Sequence, residues 1–433
     1  VMVKNIRGVF LEAAIDLSES PLQAGPGETI GAAFWVSDPG NYFNNPYGNT
    51  GAWPRGALWE AAETLGDLIL ASPADTLKDY AWTMLNHNRE RTSWAHDESQ
   101  LRPPFDSTAV QEVANDYISN ISFYDNTFYL GTSANGLPNR FMSINAESGL
   151  LNWNFDVPGS VSSLSFQPAV GSELVYCGGQ GGEGIYAVHR ERGHVVWSDP
   201  IGSLFSRSAM LDGTRLYVSQ KDTLYCYDAE SGLRLWHYHF VSNQVNMAPP
   251  VLDDSRCYVT SDDSLWAFSK YSGNLIWREP TSGISSLAAG RDYLYTYREG
   301  ALRALAPENG HEVWAYHVSE TDTLSTLNNI AVTDERICYS LQKDSEGKGA
   351  LYCLTAAEGS LLWERQFEHV LYYPPTIANQ VVYLIETNPD NYHGAVWAFD
   401  LETGDSLFFD DSQNYRYQPV VADHKLMVSI VKG

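Results

Sequence analysis

Seven times between residues 149 and 408 a glycine is followed four residues later by a tryptophan or phenylalanine. The pairs are Gly149–Trp153, Gly193–Trp197, Gly232–Trp236, Gly273–Trp277, Gly310–Trp314, Gly359–Trp363 and Gly404–Phe408. The aromatic members recur about every 40 residues, a period that belongs to radial or stacked repeat architectures. This spacing constrains the fold of most of the chain more tightly than any other feature. It leaves the function open.

One period shows what lies between the marks. Residues 249–279 begin with an apolar run to Leu252 and turn at Asp253-Asp254-Ser255. Cys257-Tyr258-Val259 follows, then a second turn at Ser261-Asp262-Asp263 and the stretch Leu265-Trp266-Ala267-Phe268. A third turn holds Ser272-Gly273, and Leu275-Ile276-Trp277 closes the unit. Four short strands with tight turns leave no room for a helix. Four antiparallel strands in a unit of about 40 residues make the blade of a β-propeller. The glycine suits a hairpin position that needs positive φ. The chain is therefore expected to be all-β.

The end of each unit resembles the tryptophan-docking motif of quinoprotein-type propellers, Ala-x-Asp-x-x-Thr-Gly-Lys-x-x-Trp. Ala398-Phe399-Asp400-Leu401-Glu402-Thr403-Gly404 is the nearest copy, with Phe408 in place of the tryptophan. Residues 226–236 keep Asp228, Gly232 and Trp236. The small residue opening the motif is Ser143, Ala187, Cys226, Ala267, Ala304, Cys353 and Ala398 in turn. The resemblance covers roughly residues 117–433 and implies that Trp153, Trp197, Trp236, Trp277, Trp314, Trp363 and Phe408 form a girdle packed between neighbouring blades. Most propellers of this kind are exported, which implies a periplasmic, cell-surface or extracellular chain.

Seven complete units run from about Tyr117 to Asp410. Residues 417–421 and 426–430 then read as the first two strands of an eighth. A closed ring leaves no sheet edge, and rings are often sealed by strands from the other terminus. Eight blades are therefore expected, the last completed by N-terminal strands within residues 1–36, at Ile6 to Ile15 and Thr29 to Val36. Donation of such a strand to a neighbouring molecule is the alternative. Residues 37–105 read as a loop and helical insert, ahead of a propeller at 106–433. Leu58, Ala61, Ala62, Leu65, Leu68 and Ile69 share one helical face, and Leu77, Tyr80, Ala81, Met84 and Leu85 a second. A short helix is expected near Thr108 to Asp116.

The chain carries 27 Lys plus Arg against 53 Asp plus Glu. That surplus of negative charge repels nucleic acid and anionic lipid. No apolar run is long enough to span a membrane. The five cysteines contain no Cys-x-x-Cys and no adjacent pair, and read as buried small hydrophobes.

The family holds pyrroloquinoline quinone with a vicinal cysteine disulfide, a stacking tryptophan, Ca²⁺ ligands and an aspartate base. No Cys-Cys pair and no insertions carrying such a site are present here. The expectation is no catalytic residue, no cofactor and no metal, with a quinone-dependent dehydrogenase as an alternative. His237 and His239 could share a strand face, but two ligands do not make a site. Asp344 to Gly349 lacks the spacing of a calcium loop. The sequon Asn120-Ile121-Ser122 falls in an expected strand. What remains is a funnel lined by loops entering the innermost strands, with Arg207, Asn246, Asn329, Tyr373, Tyr415, Arg416 and Tyr417. This amide- and tyrosine-rich set suits a protein surface, or a carbohydrate. The expected function is a protein-binding or scaffold module. A self-assembling structural subunit is the alternative.

Overall fold

The computed structural model describes residues 81–105 and most of 117–430, with its main interruptions at 134–139, 241–248, 281–285, 324–329 and 344–347. Of the first 80 residues it describes only the backbone of four short strands. The chain divides into two compact units, Val1–Leu77 and Lys78–Gly433. In the first, Met2–Ile6 pairs antiparallel with Val9–Glu12, and Thr29–Ile30 with Leu68–Ile69. Leu68 and Ile69 are thus in a strand, where the apolar spacing predicts a helix. A short apolar run satisfies both periodicities, and pairing decides between them.

The second unit is a propeller of antiparallel blades, with no helix among the described residues. Blade 4 is representative: Val251–Leu252, Arg256–Thr260, Ser264–Ser269 and Leu275–Pro280 pair in chain order from the inside outward. Blades 1, 2, 3, 5, 6 and 7 repeat this order, starting from Ser122–Tyr124, Ala169–Val170, Met210–Asp212, Ser286–Ala289, Ile330–Val332 and Thr376–Ala378. The eighth blade has Tyr415–Ala422 and Lys425–Ile430. The ring closes between blades 8 and 1, where Val420, Ala422 and Met427 pack on Phe123 and Phe128. Among the described residues Lys425–Ile430 pairs only with Tyr415–Ala422.

Burial follows the order of the strands. The inner strands of blade 4 are buried on both faces, while its outermost strand alternates exposed and half-buried residues. Outer strands accordingly carry charges such as Arg234, Arg278, Glu279 and Glu364, which protect a sheet edge from adventitious pairing.

The repeat motif has a local and a long-range role. In blade 3 the Asp228 carboxylate accepts the Ser231 amide at 2.8 Å, and the Gly232 amide bonds back to the Asp228 carbonyl at 2.9 Å. That tight turn places Gly232 at φ +72, where a side chain is strained. In blades 2 to 7 this glycine also receives the indole of the preceding blade. A Cβ added at Gly193, Gly232, Gly273 or Gly404 would sit 2.6 Å from the ring of Trp153, Trp197, Trp236 or Trp363 respectively. The same indoles reach across by hydrogen bonds: Nε1 of Trp197 donates to the Ala229 carbonyl at 2.8 Å, and that of Trp236 to Lys270 at 3.0 Å. Phe408 instead meets Phe105 edge-on at 4.9 Å between centroids.

Residues 81–105 belong to the propeller unit, and the helix expected over Ala81, Met84 and Leu85 is not formed. Trp82 exchanges both backbone hydrogen bonds with Phe123 of blade 1, at 2.9 and 2.7 Å. A helix would need those groups for itself. The helix expected at 108–116 and the strand expected at 31–36 lie outside the described residues.

Gly273→Ala combines left-handed backbone strain with collision against Trp236, and is expected to cost about 2–5 kcal/mol. Gly213, at φ +56 with nothing near its would-be Cβ, isolates the backbone part; Gly213→Ala is expected to cost only about 1–2 kcal/mol. Urea denaturation of the two variants checks the difference, and equal losses would remove the indole contact from the account.

Candidate functional site

The inner strands of the propeller bond to the chain's own backbone. Inner-strand amides bond to the segment 82–93 in chain order: Phe123 to Trp82, Val170 to Thr83, Leu252 to Arg89, Ala289 to Glu90, Val332 to Thr92 and Ile377 to Ser93, all between 2.7 and 2.9 Å. These amides are equivalent by register, each opposite the start of its blade's second strand. Blade 8 joins through Gln418, whose side-chain amide donates to the Ser93 hydroxyl at 3.0 Å. Blade 3 joins through Asp212, which takes Arg89. The segment therefore makes one circuit of the axis and touches all eight blades. Tight curvature is supplied by left-handed backbone at Asn86, His87, Arg91 and Ser93. Asn is among the residues that tolerate this region best.

An ion cluster anchors the circuit. Arg89 bonds Glu90 at 2.6 Å, Asp254 at 2.7 Å and Asp212; Lys270, itself buried, reaches Asp212 at 2.6 Å and the Asp253 carbonyl at 3.1 Å. Burial alone would raise the Asp212 carboxyl, but Arg89 and Lys270 hold it below its ordinary value. Burial in turn lowers Lys270, against the pull of Asp212. From Trp94 the chain leaves the axis: Trp94–Ala95 pairs parallel with Ile377–Ala378, and Glu98 takes the Leu101 amide at 2.8 Å and His424 at 3.0 Å.

The expected funnel residues fall into two groups. Arg207, Asn246 and Asn329 lie outside the described residues. The rings of Tyr373 and Tyr417 come within 5.6 Å of each other, and Arg416 sits 5.2 Å over Tyr392. Tyr415 is a buried strand residue whose hydroxyl donates to Asp410 at 2.5 Å. His239 approaches Thr223 at 3.2 Å and Asp222 at 3.7 Å.

A second site escapes the sequence reading. A cavity of about 560 Å³ opens between the end of blade 6 and the loops of blade 7. Trp397, Phe409, Glu386 and His369 line it, together with Glu368 and Asp411. Glu386 is buried: one carboxylate oxygen accepts the His369 amide at 3.0 Å and the other the Trp397 indole N–H at 2.8 Å. Each oxygen keeps acceptor capacity toward the cavity. Phe409 lies 4.3 Å from Trp397 between centroids and is 46% exposed. Its signal in sequence is faint: Trp397 stands one residue before the small residue of the motif, a place where Tyr225, Trp266 and Tyr352 also stand.

The quinone implied by the family has no platform among the described residues. The described axis carries the backbone of 82–93. The cysteines are free and buried, Cys177, Cys257 and Cys338 in second strands and Cys226 and Cys353 in third strands. Among the described residues no group of three His, Cys, Asp or Glu stands at ligand distance, and no helix is long and apolar enough to cross a membrane.

Fold and repeat together define a propeller of the PQQ-type repeat class. Residues 107–210 and 185–407 match the family model described as outer membrane protein assembly factor BamB, which covers more than half of the chain. The chain belongs to that family. Among solved structures, it is similar to a europium-containing methanol dehydrogenase, with TM-score 0.61 and 12% identity over 82% of this chain and 90% of that one. It is also similar to the quinohemoprotein alcohol dehydrogenase of Comamonas testosteroni, with TM-score 0.62 and 12% identity over 83% and 77%. BamB from Moraxella catarrhalis aligns with TM-score 0.49 and 15% identity over 63% and 82%. At these identities the likeness is one of fold. No curated protein matches the sequence.

The axial circuit carries a titratable group. His87, packed edge-on to Trp82 at 5.1 Å, is lowered to about 3 by burial, with His96 adding to the effect. Its folded pKa lies below its unfolded one, so the unfolded chain takes up a proton first as pH falls. Stability is expected to drop below about pH 6.5, by about 2 kcal/mol at pH 5 from this group. His87→Asn, which keeps a residue tolerant of positive φ, is expected to remove that component. Denaturant titrations of both proteins at pH 7 and pH 5 check it.

Proposed function

We propose that this protein is a non-catalytic, exported propeller that serves the cell envelope as a protein-binding scaffold. The observation that carries the reading is the axial circuit. The chain spends its own segment 82–93 on the axis, hydrogen-bonded to blade after blade, the place that the resemblance to quinoprotein dehydrogenases implies for a quinone. Membership in a family described by an assembly factor supports protein partners and an envelope location. On this reading the binding surface takes in Tyr373, Tyr417, Arg416 and the cavity at Trp397. The strong negative charge favours a basic partner.

Reconstitution with pyrroloquinoline quinone and Ca²⁺, followed by dye reduction with a primary alcohol or an aldose, is expected to give no turnover above the quinone-only control. Turnover well above it would replace the scaffold with a quinone-dependent dehydrogenase.

One observation favours a second reading, a self-assembling subunit. Lys425–Ile430 has one described partner strand, and Leu426, Met427 and Val428 on it are half-exposed. An open edge of this kind accepts an added strand. If residues 1–36 supply that strand within one chain, their deletion is expected to lower Tm and cause association. If they supply it to a neighbour, the intact protein sediments as a polymer and the deletion variant as a monomer. A deletion variant that stays monomeric with unchanged Tm, beside a monomeric parent, would sink both forms of closure.

A further inference from the structure

Blades 4 and 7 carry the same aromatic box. In blade 4, Trp266 stacks with Phe268 at 6.2 Å and 7°, and Phe240 from blade 3 meets them edge-on at 5.2 and 5.9 Å. In blade 7, Trp397 stacks with Phe399 at 5.5 Å and 11°, and Phe367 from blade 6 meets them edge-on at 5.9 Å each. The register is equivalent: Trp266 stands opposite Val259 and Arg278, and Trp397 opposite Leu384 and Phe409.

The boxes differ in charge. Blade 4 supplies its own cation. The Arg278 guanidinium lies 4.4 Å over the Trp266 ring, with Nε on the Ser264 hydroxyl at 2.8 Å and Nη2 on Asp263 at 3.2 Å. The Trp266 N–H there donates to a neutral group, Ser261, at 3.2 Å. In blade 7 the place of Ser261 is taken by Glu386 and the place of Arg278 by Phe409. The acid is added and the cation is removed, and a cavity of about 560 Å³ opens beside the ring. Glu368, Glu386 and Asp411 face it with one guanidinium, Arg365. That group is turned to its own blade's neighbour, on the Gly404 carbonyl at 2.7 Å and near Asp405 at 3.6 Å. His369 and His393 also line the cavity, and His393 Nε2 is held at the Asp411 carbonyl, 2.9 Å away.

We propose that the cavity between blades 6 and 7 is a receptor for a guanidinium group, carried on an arginine side chain of a partner polypeptide. The cation would lie against the Trp397–Phe409 faces and bond the free acceptor positions of Glu386, reproducing with a foreign arginine what Arg278 does in blade 4. An indole face and a desolvated carboxylate both favour a cation over a neutral hydrogen-bonding group. The polypeptide source rests on the protein-binding reading; the cation chemistry does not.

The test is ¹⁹F NMR of the full chain labelled with 5-fluorotryptophan, with the Trp397 signal identified by Trp397→Phe. The probes are N-acetyl-arginine methylamide, its neutral citrulline isostere, methyl α-glucoside and a short arginine-containing peptide. The arginine probe and the peptide are expected to shift the Trp397 signal saturably, and the Trp266 signal, already covered by Arg278, to stay in place. Glu386→Gln is expected to weaken binding about tenfold. Phe409→Arg is expected to abolish binding by filling the cavity from within, and a native-like spectrum for it shows that the fold is kept. Equal shifts with citrulline, a response to the glucoside alone, or no shift at about 10 mM arginine probe would overturn the proposal. Binding of the free probe without the peptide would overturn the polypeptide source. Quinone turnover, which defeats the scaffold reading, leaves this measurement unaffected.

Discussion

The structure depends on an indole laid against a bare glycine. In blades 2 to 7 the turn before the outermost strand has its glycine in left-handed backbone, and the preceding blade's tryptophan rests on it at a distance that excludes a Cβ. The contact fixes both the separation and the rotation of adjacent sheets. The indole N–H of Trp153, Trp197, Trp236, Trp277 and Trp363 then bonds to a carbonyl in the same turn, so the apolar face and the polar edge of one side chain both serve the interface. A ring of eight sheets needs such a repeated, directional contact, because stacking apolar faces alone leaves the angle between blades free.

Much of this was written in the sequence. Gly273 with Trp277, and Asp228 with Ser231 and Gly232, are local patterns whose meaning is set by a few neighbouring residues. The blade boundaries followed from them, and so did the first two strands of the eighth blade. The axial circuit was not legible. Trp82, Met84 and Leu85 fit a helical spacing, and the inner-strand amides of six distant blades hold Trp82–Ser93 out of a helix. No local signal encodes a partner some 40 to 300 residues away, so propensity lost to tertiary hydrogen bonding. The Trp397 cavity was hidden for a different reason. The repeat assigns an aromatic to that slot in several blades, and its singularity lies in the swap of Ser261 and Arg278 for Glu386 and Phe409, visible once registers are paired.

The comparison of blades 4 and 7 bears on how a repeat protein acquires a site. The box of two stacked rings and one edge-on ring is part of the packing between neighbouring sheets. Two substitutions at its rim change its electrostatics and its volume without altering that packing. A binding function of this kind requires no new backbone, in keeping with the rule that function is grafted onto folds.

The segment that circles the axis precedes in sequence every blade it touches. A chain that emerges N-terminus first must therefore leave the circuit incomplete until the last inner strand, near Gln418, has been made. Trp82 has its blade 1 partner early, but Ser93 waits for Ile377 and Gln418, contacts of very long range. Loops of that length close slowly. The propeller is in effect wound around a segment made before any of its blades, and that hub is the last part secured.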